Sequence, residues 1–304
     1  MVEPAEADKR AGFVALIGAP NVGKSTLLNA LVGAKISIVT PKVQTTRTLI
    51  RGIAMAGPAQ LIFVDTPGIF SPRRRLDRAM VGSAWASTAD ADVVAFVIDA
   101  KTGVKDDDEA ILRLLGDVRA PKVLVLNKVD LVDKSVLLAL TQMLNEKIGF
   151  AATFMVSARS GDGVADLKAW FAAHVPAGPW LYPEDQISDA PLRQLAAEIT
   201  REKLYLRLHQ ELPYQSTVET EVWKELKDGA VRIEQTIYVE RDSQRKIVLG
   251  KAGQAIKAIG AAARADIAKA IEQPVHLFLH VKVREGWGDD PERYREMGLE
   301  FPKE

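Results

Sequence analysis

Two short stretches carry residue types whose spacing fits the handling of a nucleoside polyphosphate. The first is Gly18-Ala19-Pro20-Asn21-Val22-Gly23-Lys24-Ser25. It follows an apolar run, Phe13 to Ile17, and opens onto a helical pattern that starts at Thr26. A polyphosphate needs many N–H donors converging without intervening side chains. Gly18 and Gly23 permit the backbone conformations and close approach that supply them. The helix N-terminus adds unpaired donors and a positive dipole end. Lys24 reaches the β- and γ-phosphates as a compact charge, and the Ser25 hydroxyl suits Mg²⁺. As a loop side chain, Lys24 is expected to have little to do with the core.

The second stretch, Asn127-Lys128-Val129-Asp130, concerns the base. Guanine offers adjacent N1–H and N2–H₂ donors, and one carboxylate, Asp130, accepts from both. Adenine presents a lone pair at N1, so its complex would leave a buried polar group unpaired. That penalty supports discrimination of ~10⁴-fold or more. Asn127 is expected at the other edge of the base, with the Lys128 stem over a ring face. These motifs predict GTP/GDP with Mg²⁺ as the ligands.

The elements that must hold these residues alternate. Strands are expected at about 48–55, 61–64, 93–98, 122–126 and 153–156, and helices at about 75–88, 107–115, 135–147 and 164–173. Apolar strands alternating with helices make an α/β, doubly wound, mainly parallel sheet of the P-loop NTPase kind. Three prolines between Pro176 and Pro183 break the pattern and start a linker, 176–190. A smaller α+β module follows at 191–285. It has a helix to about Gln210, a hairpin turning at Lys227-Asp228-Gly229, Gly250-Lys251-Ala252-Gly253, a helical stretch 254–259, an alanine-rich helix and a last strand, 275–283. The N-terminal domain spans 11–175, preceded by a flexible stretch 1–10 and balanced by a tail, 286–304.

The chain has 304 residues, 47% apolar and 26% charged, with no cysteine, which excludes disulfides, thiolate metal sites and cysteine nucleophiles. Met1 to Arg10 lacks the basic-then-apolar form of a secretion signal, and no apolar run reaches ~18 residues, so the expectation is cytoplasmic. The formal net charge is zero, yet Arg241 to Arg284 holds nine Lys/Arg against three Asp/Glu. A basic segment in a neutral chain suggests a local polyanion site, with a solvated charged face as the bland alternative.

With these motifs assembled, the chain resembles the translation-factor class of GTPases. The resemblance puts Thr46 in the switch I position, with Thr45 as the alternative register, and Asp65-Thr66-Pro67-Gly68-Ile69 in switch II. It makes Ser157-Ala158-Arg159 the loop that closes over the base. It also implies that Asp65 holds Mg²⁺ through water, that Thr46 joins it in the GTP state, and that the Gly68 N–H senses the γ-phosphate. Lys24, Thr46 and Gly68 are then the catalytic group. Ile69 stands where Ras-like GTPases carry a water-orienting glutamine, so slow intrinsic hydrolysis is expected, with the water positioner unassigned.

Gly250-Lys251-Ala252-Gly253 has the form of a KH loop, which brings backbone close to nucleic-acid phosphates, with Ile256 and Lys257 on the helix beside it. The bland reading is a helix-entry turn. The basic surplus and the element order favour a type II KH domain that binds RNA. One G domain followed by one such module resembles the bacterial Era GTPases, from about residue 10 to the end. Gln44-Thr45-Thr46-Arg47 and the tail, Trp287-Gly288 with Tyr294 and Gly298, fit that family too. Membership implies binding near the 3′ end of 16S ribosomal RNA, a role in 30S maturation and peripheral contact with the inner membrane, with no DNA partner expected. An RNA-binding adaptor with an inert G domain is the competing class, and Ile69 speaks for it. tRNA-modifying GTPases share the loops but need a C-terminal cysteine that is absent here. His276 and His280 read as ordinary packing, and Arg73 to Arg75 as a solvated face.

Overall fold

The computed structural model describes residues 8–42, 44–208, 212–286 and 289–302. The chain divides into two compact units, one of Met1–Ser37, Thr46–Asp189 and Arg295–Glu304, the other of Ile38–Thr45 and Ala190–Tyr294. Most of the flexible N-terminus predicted from sequence, and Trp287 with Gly288, lie outside the described residues. Arg10 is not part of a loose end: it begins the first strand, and its Nε donates to Val175 O at 2.8 Å.

The first unit is built on β1 (Arg10–Ile17), β2 (Ile50–Ala56), β3 (Ala59–Asp65), β4 (Val93–Asp99), β5 (Lys122–Asn127) and β6 (Ala152–Val156), in the order β2-β3-β1-β4-β5-β6. Only β2 runs antiparallel to its neighbour, β3. All seven residues of β3 and of β4 are buried, the continuous apolar signature of strands covered on both faces. The covering helices are α1 (Lys24–Val32), α2 (Arg75–Ala89), α3 (Asp106–Leu115), α4 (Lys134–Lys147) and α5 (Val164–His174). Strand order reverses between β1 and β4, where open α/β sheets bind ligands beyond the carboxyl ends of their strands. Parallel register pairs Leu16 with Asp65 and Asp99 with Asn127, which brings the motifs to that one edge.

The stretch 176–189 packs with this unit rather than hanging free. Gln60, fully buried, accepts from the Leu181 and Tyr182 N–H groups through Oε1 and donates to Tyr182 O. Trp180 Nε1 donates to Pro58 O at 2.9 Å. Proline removed helix from this segment without removing its ability to pack.

The second unit contains α6 (Leu192–Arg207), β7 (Ser216–Glu225), β8 (Val231–Val239), α7 (Asp242–Leu249), α8 (Gln254–Ile271) and β9 (Val275–Val283), and a short helix, α9 (Pro291–Glu296), begins in it. The hairpin β7–β8 turns at Gly229, φ 80°, and β9 adds parallel to β8. Two expectations are corrected. Residues 254–271 form one continuous helix rather than two, because Gly260 faces β9, where an added Cβ would lie 3.4 Å from Leu279. The other helix of the pair precedes the glycine loop, at α7. The segment Ile38–Thr45 belongs to this unit. Lys42 Nζ donates to the last carbonyls of α6, at Tyr205 and Leu208, and the buried Arg201 guanidinium donates to the Gln44 and Thr45 carbonyls. A cation at a helix C-terminus satisfies its free carbonyls and complements its dipole.

Candidate functional site

The loop between β1 and α1 is walled in. Gly18 has φ 154° and Gly23 φ 100°, and an added Cβ would fall on Val97 O at the first and on Asn127 Nδ2 at the second. These glycines are required by position as well as by conformation. Lys24 is only 6% exposed, which corrects its reading as a lysine with little to do with the core. Its Nζ donates to Gly18 O at 3.0 Å and Ala19 O at 2.9 Å, curling the loop around its own ammonium. Burial lowers its pKa to about 8 despite the nearby Asp65 and Asp108 carboxylates, which pull it upward. An incoming polyphosphate supplies the counter-charge this ammonium lacks.

Beneath the loop, Asp65 is fully buried at the end of β3. Its Oδ2 accepts from Ser25 Oγ at 2.6 Å, Ser37 Oγ at 2.9 Å and Thr46 Oγ1 at 3.3 Å. Ser25 and Thr46 oxygens lie 2.9 Å apart. Thr45 instead points its hydroxyl at Thr40 and at Lys42 O, so the geometry selects Thr46 of the two registers. Burial pushes the Asp65 pKa up, opposed by the Ser25 hydrogen bond and by Lys24. The other carboxylate oxygen, Oδ1, is buried with no hydrogen-bond partner among the described residues. A buried carboxylate oxygen left without a donor, beside two hydroxyls, is an all-oxygen donor set that fits Mg²⁺, which takes one or two carboxylates and completes its shell with phosphates and water.

Switch II adjoins the same loop. Ile69 N donates to Gly18 O at 3.1 Å, and a Cβ on Gly68 would meet Pro20 at 2.8 Å. Thr66 is tied by its hydroxyl to Leu16 O at 2.7 Å, and Pro67 follows it in the strand-free turn. The Ile69 side chain is buried, so it offers no polar atom to a water.

The Asn127-Lys128-Val129-Asp130 motif is tied to the phosphate loop. Asn127 is 2% exposed, and its Nδ2 donates to Val22 O at 2.9 Å while Oδ1 accepts from Ala158 N at 3.0 Å. It therefore braces the phosphate loop against the Ser157-Ala158-Arg159 loop, with one N–H of its amide left over from these two bonds. Lys128, φ 65°, reaches Asn21 O and Asp99 Oδ2, both at 2.7 Å. Asp130 and Arg159 are exposed, with Val129 between them and the sheet half-buried. Sequence reasoning missed Asp99, Ser37 and Asn29. Asp99 closes an apolar strand at a site-facing end, a readable signal, whereas Ser37 and Asn29 carry none.

In the second unit Gly250 has φ 70°, and an added Cβ would lie 2.6 Å from the Ala255 Cβ. Lys251 and Ala252 are exposed, and Ala252 itself takes φ 50°. Next to this loop a groove of about 390 Å³ is lined by Ile256, Lys257, Arg264, Leu279 and His280, with Phe278 at its edge. His280, exposed, lines this groove beside two cations. Arg232 lies 5.0 Å over the Phe278 ring.

Residues 13–128 match the model of the 50S ribosome-binding GTPase family, and residues 211–288 match that of the KH domain. GTPase Era of Afipia carboxidovorans is 69% identical over 295 residues, covering 97% of this chain and 96% of its own. GTPase Era of Rhizobium meliloti is 67% identical, covering 97% and 94%. Among solved structures, a variant of Aquifex aeolicus Era bound to GDP·AlF₄⁻ is 38% identical with a TM-score of 0.90, covering 95% of this chain and 99% of that one. An Era complex with MgGDPNP and nucleotides 1506–1542 of 16S ribosomal RNA matches with the same identity, TM-score and coverage. With a phosphate loop, a hydroxyl-lined carboxylate and the Asn127–Asp130 motif at one sheet edge, a KH module following in the sequence and near full-length identity of this order, the chain belongs to the Era family of GTPases.

Proposed function

We propose that the first unit binds and hydrolyses GTP and that the second binds RNA at the 3′ region of 16S ribosomal RNA, so that the chain assists 30S subunit maturation. The observation that carries the first half is the convergence of Lys24, Ser25, Thr46 and Asp65 at one edge of the sheet. Gly18 to Thr26 wrap the phosphates, Lys24 balances their charge, and Asp130 reads the guanine edge beneath Ser157 to Arg159. Ser25, Thr46 and Asp65 would hold Mg²⁺, which when bound draws the β- and γ-oxygens together and offsets their charge. The Gly68 N–H senses the γ-phosphate. Because Ile69 is buried and apolar, hydrolysis is slow until a partner helps orient the water.

The second half rests on the exposed Gly250–Gly253 loop, the adjoining groove with Lys257 and Arg264, and the basic surplus of the segment around it. The functional division runs 11–175 for GTP, 176–190 as connector, 191–285 for RNA and 286–304 as tail. GTP is expected to tighten RNA binding, because the stretch Ile38–Thr45 belongs to the RNA-binding unit and continues directly into Thr46. Membership of the Era family supports a cytoplasmic location, and peripheral contact with the inner membrane is part of this proposal. Among the described residues no helix is long and apolar enough to cross a membrane.

Asp130→Asn tests the nucleotide assignment. The amide would aim a donor at the purine 2-position, an amine in guanine and a carbonyl in xanthine. Competition binding should show preference moving from GTP to XTP by ~10²-fold or more. A variant that still prefers GTP would remove Asp130 from the site.

A further inference from the structure

We infer that Ser37 is a positioning residue for the metal-bearing carboxylate, held in place by Asn29. The inference rests on the Mg²⁺ reading of Asp65 and deepens it. Three hydroxyls donate to Asp65 Oδ2, and two of them, Ser25 and Thr46, also owe a lone pair to the ion. Ser37 owes nothing: it is fully buried, and its Oγ donates to Asp65 Oδ2 at 2.9 Å. Its hydroxyl therefore has one task, to fix the rotation of the carboxylate so that the unpartnered Oδ1 keeps its direction.

Asn29 fixes Ser37 in turn. Its Oδ1 accepts from the Ile36 and Ser37 N–H groups, each at 2.9 Å, and its Nδ2 donates to Ser37 O at 2.8 Å. These three bonds hold the backbone of an irregular segment on both its donor and its acceptor sides. Asn29 stands four residues after Ser25 on α1, so both project from one helix face. The circuit closes on itself: α1 carries Ser25 and Asn29, Asn29 sets Ser37, and Ser25 and Ser37 meet on one oxygen of Asp65. A carboxylate referenced twice to the helix that supplies the hydroxyl ligand cannot rotate away from it without breaking one of the two bonds. Groups that orient a metal ligand in this way typically change metal affinity ~10–100-fold when removed.

The test follows release of a fluorescent GDP analogue from the full chain as Mg²⁺ is titrated, with EDTA as the metal-free reference. For Ser37→Ala, release in EDTA should equal the parent's, while the Mg²⁺ concentration that half-slows release should rise by about tenfold or more. Asn29→Ala should shift the same midpoint, and the double variant should go no further than the larger single effect, since Asn29 acts through Ser37. If Ser37→Ala does not fold, as judged by circular dichroism, Asn29→Ala provides the same midpoint. An unchanged midpoint, or an equal acceleration with and without Mg²⁺, would overturn the inference, the latter marking a general structural role. If the parent chain itself released GDP independently of Mg²⁺, the metal-site reading would fall and this inference with it.

Discussion

Two glycine-bearing loops open helices in this chain, Gly18–Ser25 before α1 and Gly250–Gly253 before α8, and their surroundings differ in kind. At the first, an added Cβ would strike Val97 O or Asn127 Nδ2, and the lysine is buried and bonded to the loop itself. At the second, a Cβ on Gly250 would press on Ala255 of the helix that follows, but one on Gly253 would meet nothing within 4 Å, and Lys251 and Ala252 face solvent. A walled loop has one shape and one partner geometry, which suits a small anion enclosed on all sides. An open loop presents backbone and charge to a polymer whose phosphates pass over it. Glycine thus serves close packing at Gly18, Gly23 and Gly250, and an open, accessible turn at Gly253.

The largest test of this contrast is Gly23→Ala. The methyl would press on the Asn127 amide that braces the loop, at a backbone φ of 100° that L-residues resist. A misfit of about 2 kcal/mol or more corresponds to at least ~30-fold in GTP affinity, read by equilibrium binding. Unchanged affinity would mean the wall is soft.

Charge reversal at the open loop comes next. Lys251→Asp should weaken RNA by about tenfold and lower the slope of log affinity against log salt by ~1, leaving RNA-free GTP binding intact. A loss of affinity with an unchanged salt slope would argue against a phosphate contact there.

Gly253→Ala should be milder. With open space around the position, only the left-handed conformation at φ 72° opposes a side chain. The cost should be about 1 kcal/mol in denaturant unfolding of the chain. A penalty matching that at Gly23 would erase the distinction between the loops.

The smallest effect is protonic. With its pKa lowered to about 8, Lys24 is partly neutral in the nucleotide-free protein at that pH, whereas a bound polyphosphate keeps it charged. Binding at pH 8 should therefore take up about half a proton, seen as a dependence of calorimetric enthalpy on buffer ionisation. Between pH 8 and the ordinary 10.5 of a free lysine, the unfolded chain binds more protons than the folded one. This group alone then raises nucleotide-free stability as pH rises through that window and lowers GTP affinity over the same range.

Local sequence determined the phosphate loop, the alternation that makes a parallel sheet, the base-reading carboxylate and the KH loop. Each of these is a matter of residue type at short spacing, where backbone freedom, hydrogen-bond capacity and hydrophobic period act within a few positions. Tertiary structure decided what depends on residues far apart in the chain. It selected Thr46 over Thr45, since only the folded loop sets which hydroxyl reaches Ser25 and Asp65. It gave Asn127 a bracing role that the sequence does not show, because Val22 and Ala158 converge on it from distant positions. It buried Lys24, assigned Ile38–Thr45 to the second unit and merged two expected helices into α8 by facing Gly260 toward β9. Ser37 and Asn29 belong to this second class: a serine in a loop and an asparagine on a helix acquire meaning only when folding brings both to one buried carboxylate, whose desolvation makes every donor around it count.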